Sequence, residues 1–526
     1  MEEFNLTLNN FLFNSGILGF YRIMEHVNKE NLISISGNIL KVKKEAIEHF
    51  EDDYIRTMLN TFVEQTRWYS IVSNRNYINN IDMNINKEQL ENQYKFVKKA
   101  IDSASYKSGY ESIKNDSEDN PYELLQRYKD SDNDKKKEIL IKMIEHLEKY
   151  KEVYCMKDII YTKINCFWEG KAFLNRSANK NNIKEEYRKT FVEPAINYLS
   201  NIKKSEYKCI ECGNSISKTE ADGMSWLCDV GVDMNRKKSG FWNFNEDTLL
   251  CPICSLIYSC IPLGFYIIGS NGIFVNNNES FEELKRDNVK YDKDALIEQT
   301  SLESTYNKIV QRYVNKITNM EYNRRIEHEP SNIQVVTRVG DKDNKHYVFN
   351  VISKDKLEII KNTSKDFDIL SKSNVYQEVL NNLLYGIKQY NLIGRLLRQD
   401  KDIKIVGNIL NIELASMRGG KKMEEEVKDM VEAGESLRKT MYVSGENLNK
   451  LKSYYYKLQG ALKANNPIKF MQIFTMFYGS MGKPMPNSKA IIELMSNSEK
   501  FRLLGYAYVY GLGKLTNKKG ENENEE

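Results

Sequence analysis

Histidine is scarce: only His26, His49, His146, His328 and His346 occur, and none falls between residues 146 and 328. That gap removes a Cys₂His₂ site and the His-x-Glu element that a zinc deaminase carries ahead of its Pro-Cys-x-x-Cys. The one proline beside a cysteine pair, Pro252, lies inside the pair. Neither a Gly-rich phosphate loop ending in Gly-Lys-Ser/Thr nor a Gly-x-Ser-x-Gly elbow occurs, and no carboxylates cluster with His or Lys as a nuclease requires. No catalytic residue is nominated. Charge of one sign is also missing: 77 Lys and Arg against 73 Asp and Glu leave a formal +4, so any contact with nucleic acid must come from local patches. The start, Met-Glu-Glu-Phe, is acidic where a secretory signal is basic. The long uncharged stretch Thr248–Asn278 is interrupted by Pro262 and Gly264, so it does not read as a membrane span. Proline numbers only 8, while Asn, Lys, Ile and Tyr abound, as in AT-rich coding sequence.

Eight cysteines are present, four of them in two tight pairs, Cys209-Ile-Glu-Cys212 and Cys251-Pro-Ile-Cys254. This usage fits a reducing cytoplasm better than a disulfide framework. A Cys-x-x-Cys turn aims both sulfurs at one centre, so two pairs supply the four thiolates of a closed, structural Zn²⁺ site. The bland alternative is a set of reduced buried thiols. Cys228 and Cys260 lie close enough in sequence to replace one ligand.

Periodicity divides the chain into a mixed front and a helical tail. The expected fold is α+β, mainly α. An N-terminal mixed region, 1–353, contains a Cys₄ knuckle at 208–278 and β-hairpins. An all-helical C-terminal bundle follows at 354–526. Phe4–Val27 reads as a strand and a helix, and Leu32–Val42 as a hairpin about Gly37-Asn38. Lys87–Ser200 reads as helices broken at Asn115–Asn120. Phe265–Val275 reads as a hairpin turning at Ser270-Asn271-Gly272, and Ile333–Ile352 as a second strand pair. A helix is expected over Ala295–Met320. The acidic runs Glu51-Asp52-Asp53 and Glu424-Glu425-Glu426 read as solvated helix faces. The tail Thr516–Glu526 is too polar to order.

Between the cysteine pairs stands Arg236-Lys237-Lys238-Ser-Gly-Phe-Trp-Asn-Phe244. Cations beside aromatics contact phosphate and stack on bases. The competing reading is a charged loop whose aromatics pack on the knuckle. Lys41, Lys43 and Lys44, closing the first hairpin, form a second candidate. Asn271 and Asn14 offer amides, though Asn271 is first a turn residue and Asn14 serves equally as a helix N-cap. Arg324, Arg325, Arg395, Arg398, Arg418, Lys421 and Lys422 are candidates for a stripe along the bundle, though single cations on helices mostly solubilise.

With its two Cys pairs, the run Phe13-Asn14-Ser15-Gly16-Ile17-Leu18-Gly19-Phe20, its length and its helical tail, the chain resembles the large subunit of the type I-B CRISPR surveillance complex (Cascade), in the Cst branch named for the double Cys-x-x-Cys pattern. The resemblance implies a non-enzymatic subunit. It would sit at the 5′-handle end of a guide RNA, against handle-binding and backbone subunits and near small subunits. There it would read a short duplex motif (the PAM) in double-stranded target DNA, help open that DNA, and recruit a helicase–nuclease. Only the four cysteines and the opening around Asn14 and Gly16 carry over by residue. Two other readings stand beside this one: a zinc nuclease or deaminase, which the missing carboxylate and His clusters oppose, and a structural or regulatory zinc protein outside CRISPR.

The C-terminal part suggests a second product of the gene. In AT-rich codons Arg418-Gly419-Gly420 reads AGA-GGA-GGA, a ribosome-binding sequence, and Lys421-Lys422 space it from Met423. The product would be a small helical bundle of roughly a hundred residues. Equally, Gly419-Gly420 is an interhelix turn.

Overall fold

The computed structural model describes residues 2–80, 87–117, 119–200, 205, 207–229, 248–268, 271–288, 333–341, 344–399, 403–417, 420–443, 448–486, 490–491 and 498–514. The chain divides into two compact units, Met1–Gln299 with Ile333–Val351, and Thr300–Asn332 with Ile352–Glu526.

The first unit begins with strand β1 (Glu3–Thr7) and helix α1 (Phe11–His26). Asn10, not Asn14, caps α1, its Oδ1 accepting from the Phe13 amide at 2.9 Å. Nearly the whole circumference of α1 is buried, so it is a core helix and not a surface one. β2 (Ile33–Ser36) and β3 (Ile39–Lys43) form the expected hairpin, turned by Gly37 at φ +60°. The sheet runs β1-β3-β2, all antiparallel. Alternation puts Phe4, Leu6, Leu40 and Val42 in the core and Glu3, Asn5, Thr7, Lys41 and Lys43 outside.

Helices follow: α2 (Phe50–Phe62), α3 (Arg67–Val72), α4 (Arg75–Asn79), α5 (Lys87–Ile101), α6 (Ala104–Ile113), α7 (Pro121–Asp130), α8 (Asn133–Lys149), α9 (Lys151–Thr162), α10 (Ile183–Tyr187) and α11 (Glu193–Ser200). From α3 to α8 they pack a core of their own around Trp68, Tyr94, Tyr128, Met143 and Leu147. That core is pinned by buried Asp158, which accepts from Arg67 Nε at 3.0 Å and Tyr106 Oη at 2.9 Å. The break before Pro121 is where the polar cluster placed it.

β4 (Asp222–Gly223) pairs with β5 (Leu249–Leu250), and α12 (Pro252–Ser259) and α13 (Ile261–Gly264) follow directly. β6 (Tyr266–Ile268) and β7 (Asn271–Asn276) form the second hairpin, extended by β8 (Ile333–Asp341) and β9 (Asn344–Ile352) in the order β6-β7-β8-β9. A short helix, α14 (Phe281–Asp287), sits between β7 and β8 in sequence. The uncharged stretch 248–278 thus becomes buried strands and two short helices, and among the described residues no helix is long and apolar enough to cross a membrane. The expected helix at Ala295–Met320 lies outside the described residues.

The second unit is helical: α15 (Lys354–Asn362), α16 (Ser364–Leu370), α17 (Tyr376–Tyr385), α18 (Tyr390–Gln399), α19 (Ile403–Ala415), α20 (Glu424–Val443), α21 (Leu448–Lys463), α22 (Pro467–Ser480) and α23 (Ser498–Gly513). One helix was expected over Tyr376–Gln399. Instead Gly386, at φ +69°, closes α17, and the Gln389 amide donates to buried Glu413 at 2.8 Å. α23 is the hub: it crosses α20 closely at Gly434 and Gly511 and packs on α18, α19 and α21. The acidic runs are not simply solvated. Glu51 and Asp53 are buried in ion pairs with Arg188 and Lys29, and Glu426 is buried as well. Thr516–Glu526 lies outside the described residues.

Candidate metal centre and the cleft beside it

The segment holding the first pair folds as a tight turn. Lys208 bridges Ser215, the Cys209 amide donates to the Asn214 carbonyl at 2.9 Å, and Gly213, at φ +69°, returns its amide to the Cys209 carbonyl at 2.9 Å. The turn docks on β5 through Ile210 N–H to Leu249 O at 2.9 Å. The second pair opens α12: Cys251 is its N-cap, Pro252 occupies the first turn, where no amide partner is needed, and Cys251 Sγ accepts from the Cys254 amide at 3.4 Å.

These two turns bring the four Sγ atoms of Cys209, Cys212, Cys251 and Cys254 within 4.8 Å of one another. Cys212 and Cys251 stand 3.6 Å apart. A tetrahedron with metal–sulfur bonds of about 2.3 Å has sulfur–sulfur edges of about 3.8 Å, so the spacing fits a tetrahedral cation and is far longer than a disulfide. Three of the sulfurs are buried and Cys212 is half-buried. Hydrogen bonds from the other three sulfurs hold Cys209 far below the usual thiol range. Cys251 and Cys254 are held well above it, as donors to Cys209 and by burial. A buried four-thiolate set needs a cation to ionise together, and soft sulfur donors in this array suit Zn²⁺. All four positions would be filled by protein, which leaves none for a substrate. Cys228 and Cys260 are buried outside the cluster.

The opening motif of α1 proves to be the packing partner of this centre. A methyl group added at Gly16 would stand 2.5 Å from the Ile257 carbonyl oxygen, one at Gly19 would collide with the Cys260 carbonyl, and one at Gly264 with that of Ser15. Backbone therefore touches backbone where α1 crosses α12 and α13, the helices that issue from the second Cys pair. Arg22, one turn further along α1, donates to the Leu263 and Gly264 carbonyls at 2.6 and 3.0 Å and satisfies the end of α13. Burial lowers this guanidinium to about 10. Tyr54 and Trp168 both donate to the Ser259 carbonyl at 3.2 Å, closing the end of α12.

The first pair is tied to the same helix. Glu211, inside the Cys-x-x-Cys turn, accepts from Asn9 Nδ2 at 3.1 Å, Asn10 Nδ2 at 2.9 Å and Tyr258 Oη at 2.5 Å. Burial raises its carboxyl above the ordinary range, while these bonds oppose the shift. Sequence reading missed this network. Its signals were the paired amides Asn9-Asn10 and the Gly16-x-x-Gly19 spacing in an otherwise apolar helix.

The described nucleic-acid candidates stand on different elements. Arg236, Lys237 and Lys238 lie outside the described residues, as do Arg324, Arg325 and Arg418. Lys41 and Lys43 are exposed on β3, with Glu3 opposite Lys43 across the strands, while Lys44 Nζ donates to Ser200 Oγ at 2.9 Å. Asn14 is fully buried. Its Oδ1 accepts from the Asn9 amide at 2.7 Å and its Nδ2 donates to Asn276 and Asn278 at 2.8 and 2.6 Å, so it joins α1 to the end of β7 and presents no atom to a groove. Asn271 is not at a turn tip; it starts β7 opposite Ile268. In the second unit, Arg395 pairs with Glu378, and Arg398 Nε donates to Gln459 Oε1 at 3.3 Å. One juxtaposition is new. A cleft of about 580 Å³ lies between the knuckle and the first sheet, lined by Glu3, Phe4, Asn5, Thr7, Phe13, Lys41, Glu211, Cys212 and Asn214.

No curated protein and no solved structure matches the chain. Residues 202–266, the stretch that carries both Cys pairs and α12, match the family described as CRISPR-associated protein (Cas_CXXC_CXXC), and this match supports a CRISPR-associated protein.

Proposed function

We propose that this chain is the non-catalytic large subunit of an RNA-guided CRISPR surveillance complex of the type I-B Cascade kind, acting in the cytoplasm. The observation that carries the reading is the buried Cys₄ cluster locked by backbone contact to the Asn14–Gly19 helix, within a segment that matches a CRISPR-associated family. The centre holds a structural zinc that shapes the recognition face and takes no part in chemistry. The subunit joins the guide RNA with handle-binding, backbone and small subunits. It engages PAM-proximal duplex DNA, aids R-loop opening and recruits the helicase–nuclease. Because Glu3 offsets Lys43 and Lys44 is engaged by Ser200, most of the phosphate contact falls to Arg236, Lys237 and Lys238.

The test is co-expression with the products of the neighbouring genes, followed by analysis of bound RNA and of duplex affinity at several salt concentrations. The parent complex should hold a guide RNA. The pair Lys237→Glu and Lys238→Glu should keep the guide, weaken duplex binding and lower the salt slope by about 1.8, the value for two lost phosphate contacts. Absence of guide RNA from the parent complex would refute the reading. An unchanged salt slope would refute the assignment to this segment.

A further inference from the structure

β1 is the outer strand of the β1-β3-β2 sheet, and its ladder with β3 shows which backbone groups remain unused. Lys44 N–H donates to Glu2 O at 2.8 Å and Leu8 N–H to Asn38 O at 2.9 Å. In this antiparallel register, with Phe4 opposite Val42 and Leu6 opposite Leu40, the even-numbered residues therefore face β3. The amides and carbonyls of Glu3, Asn5 and Thr7 point the other way. Among the described residues nothing pairs with them. Such an edge is normally covered, shortened or bulged. Here its register with β3 is unbroken by a bulge, and it opens into the cleft whose far wall is the knuckle.

We infer that this edge and cleft form the docking site for an extended segment of a neighbouring protein subunit, which adds to the sheet as a strand outside β1. Three observations select the occupant. The unused groups repeat every second residue, about 6.8 Å apart, which is the spacing of a peptide strand. The lining carries Glu3 and Glu211 against Lys41 alone, so it disfavours a phosphate backbone and suits a segment with a basic side chain. Phe4 and Phe13 supply an apolar floor for the side chains between. The inference rests on the proposed subunit role, since a neighbouring subunit must exist to supply the strand. It also divides the labour: protein in the cleft, DNA at the Arg236–Lys238 segment.

Asn5→Pro tests it. The Asn5 amide faces outward, so proline there breaks no ladder bond within the chain but blocks an incoming strand. A photo-crosslinking p-benzoylphenylalanine at position 5 identifies the occupant in the assembled, co-expressed complex. The expected result is a crosslink to one segment of another subunit, and roughly tenfold slower exchange of the outward amides in the complex than in the free chain. Asn5→Pro should deplete that subunit by at least about tenfold while zinc content and melting temperature stay at parent values. A crosslink to nucleic acid, a crosslink to a second copy of this chain, or no crosslink together with a neutral Asn5→Pro would each overturn the inference and leave the subunit role standing. A parent chain that gathers neither guide RNA nor partners would overturn the subunit role and this inference together.

Discussion

Replacing Gly16 by alanine gives a sharp test of how the N-terminal helix and the metal centre are joined. In an unobstructed helix this change is favourable by about 0.8–1 kcal/mol, because alanine loses less backbone freedom. At Gly16 the new methyl would stand 2.5 Å from the Ile257 carbonyl oxygen, where ordinary contact begins at 3.4 Å. The obstacle is main chain of α12, so no rotamer relieves it, and the two helices must separate by about an ångström at a cost of 1–3 kcal/mol. The net expectation is a loss of about 0–2 kcal/mol, in place of the usual gain, and a melting point lower by up to a few degrees. Since Cys251 caps α12, the displacement should also speed zinc transfer to a chromogenic chelator. Gly460→Ala is the matched control: Gly460 sits in α21 with nothing within 4 Å of the added methyl, so it should stabilise by about 0.5–1 kcal/mol. Each unit should be followed on its own transition, because two units need not melt as one. If Gly16→Ala proved as stabilising as Gly460→Ala and left zinc release unchanged, the proposed backbone contact would be wrong.

Three further outcomes are expected. Purified chain should carry about one zinc, lose it as the pH falls and protons compete for the thiolates, and lose soluble yield in Cys251→Ser; metal-free protein of unchanged thermal stability would rule the centre out. His146 is buried, its Nε2 2.8 Å from Tyr154 Oη, and burial depresses it to about 4, so the unfolded chain takes up its proton near 6.5 while the fold refuses it. Its contribution is therefore complete above about pH 6.5 and is lost as pH falls towards 4, by up to about 3 kcal/mol; urea midpoints at pH 7 and 5 should show it, and an identical slope in His146→Gln would reject it. If translation also starts at Met423, mass spectrometry of the untagged product should find a species of about 12 kDa, roughly a hundred residues, that vanishes on silent recoding of Arg418–Gly420; its persistence would refute that start site.

Much of this arrangement is legible in the sequence. The Cys pairs identify the centre because two Cys-x-x-Cys turns supply four sulfurs, with no βαβ pattern beside them to suggest a redox pair, and alternation at Phe4–Thr7 and Ile39–Lys43 marks both strands. What stayed hidden depends on partners distant in sequence. Asn14 reads as a cap or a presented amide because nothing local reveals Asn276 and Asn278, 262 and 264 positions away. Glu51 and Asp53 look like surface acids until Arg188 and Lys29 arrive beside them. The helix expected over Tyr376–Gln399 breaks because Gly386 takes a left-handed conformation that apolar periodicity does not encode.

The crossing of α1 with α12 and α13 also sets a timetable. α1 ends at His26, yet the backbone it must touch is translated only from Pro252 onward. At 5–20 residues per second that interval lasts about 10–50 s. Throughout it, the glycine face of α1 lacks its final partner, although α2 and the first sheet are already available to its other faces. Metal capture by the nascent chain would then be the event that closes the N-terminal unit, and the helical tail would be translated only after that. A shortage of metal during synthesis should therefore leave aggregates rich in the N-terminal half, whereas chelation of finished protein should leave that half loosened but folded.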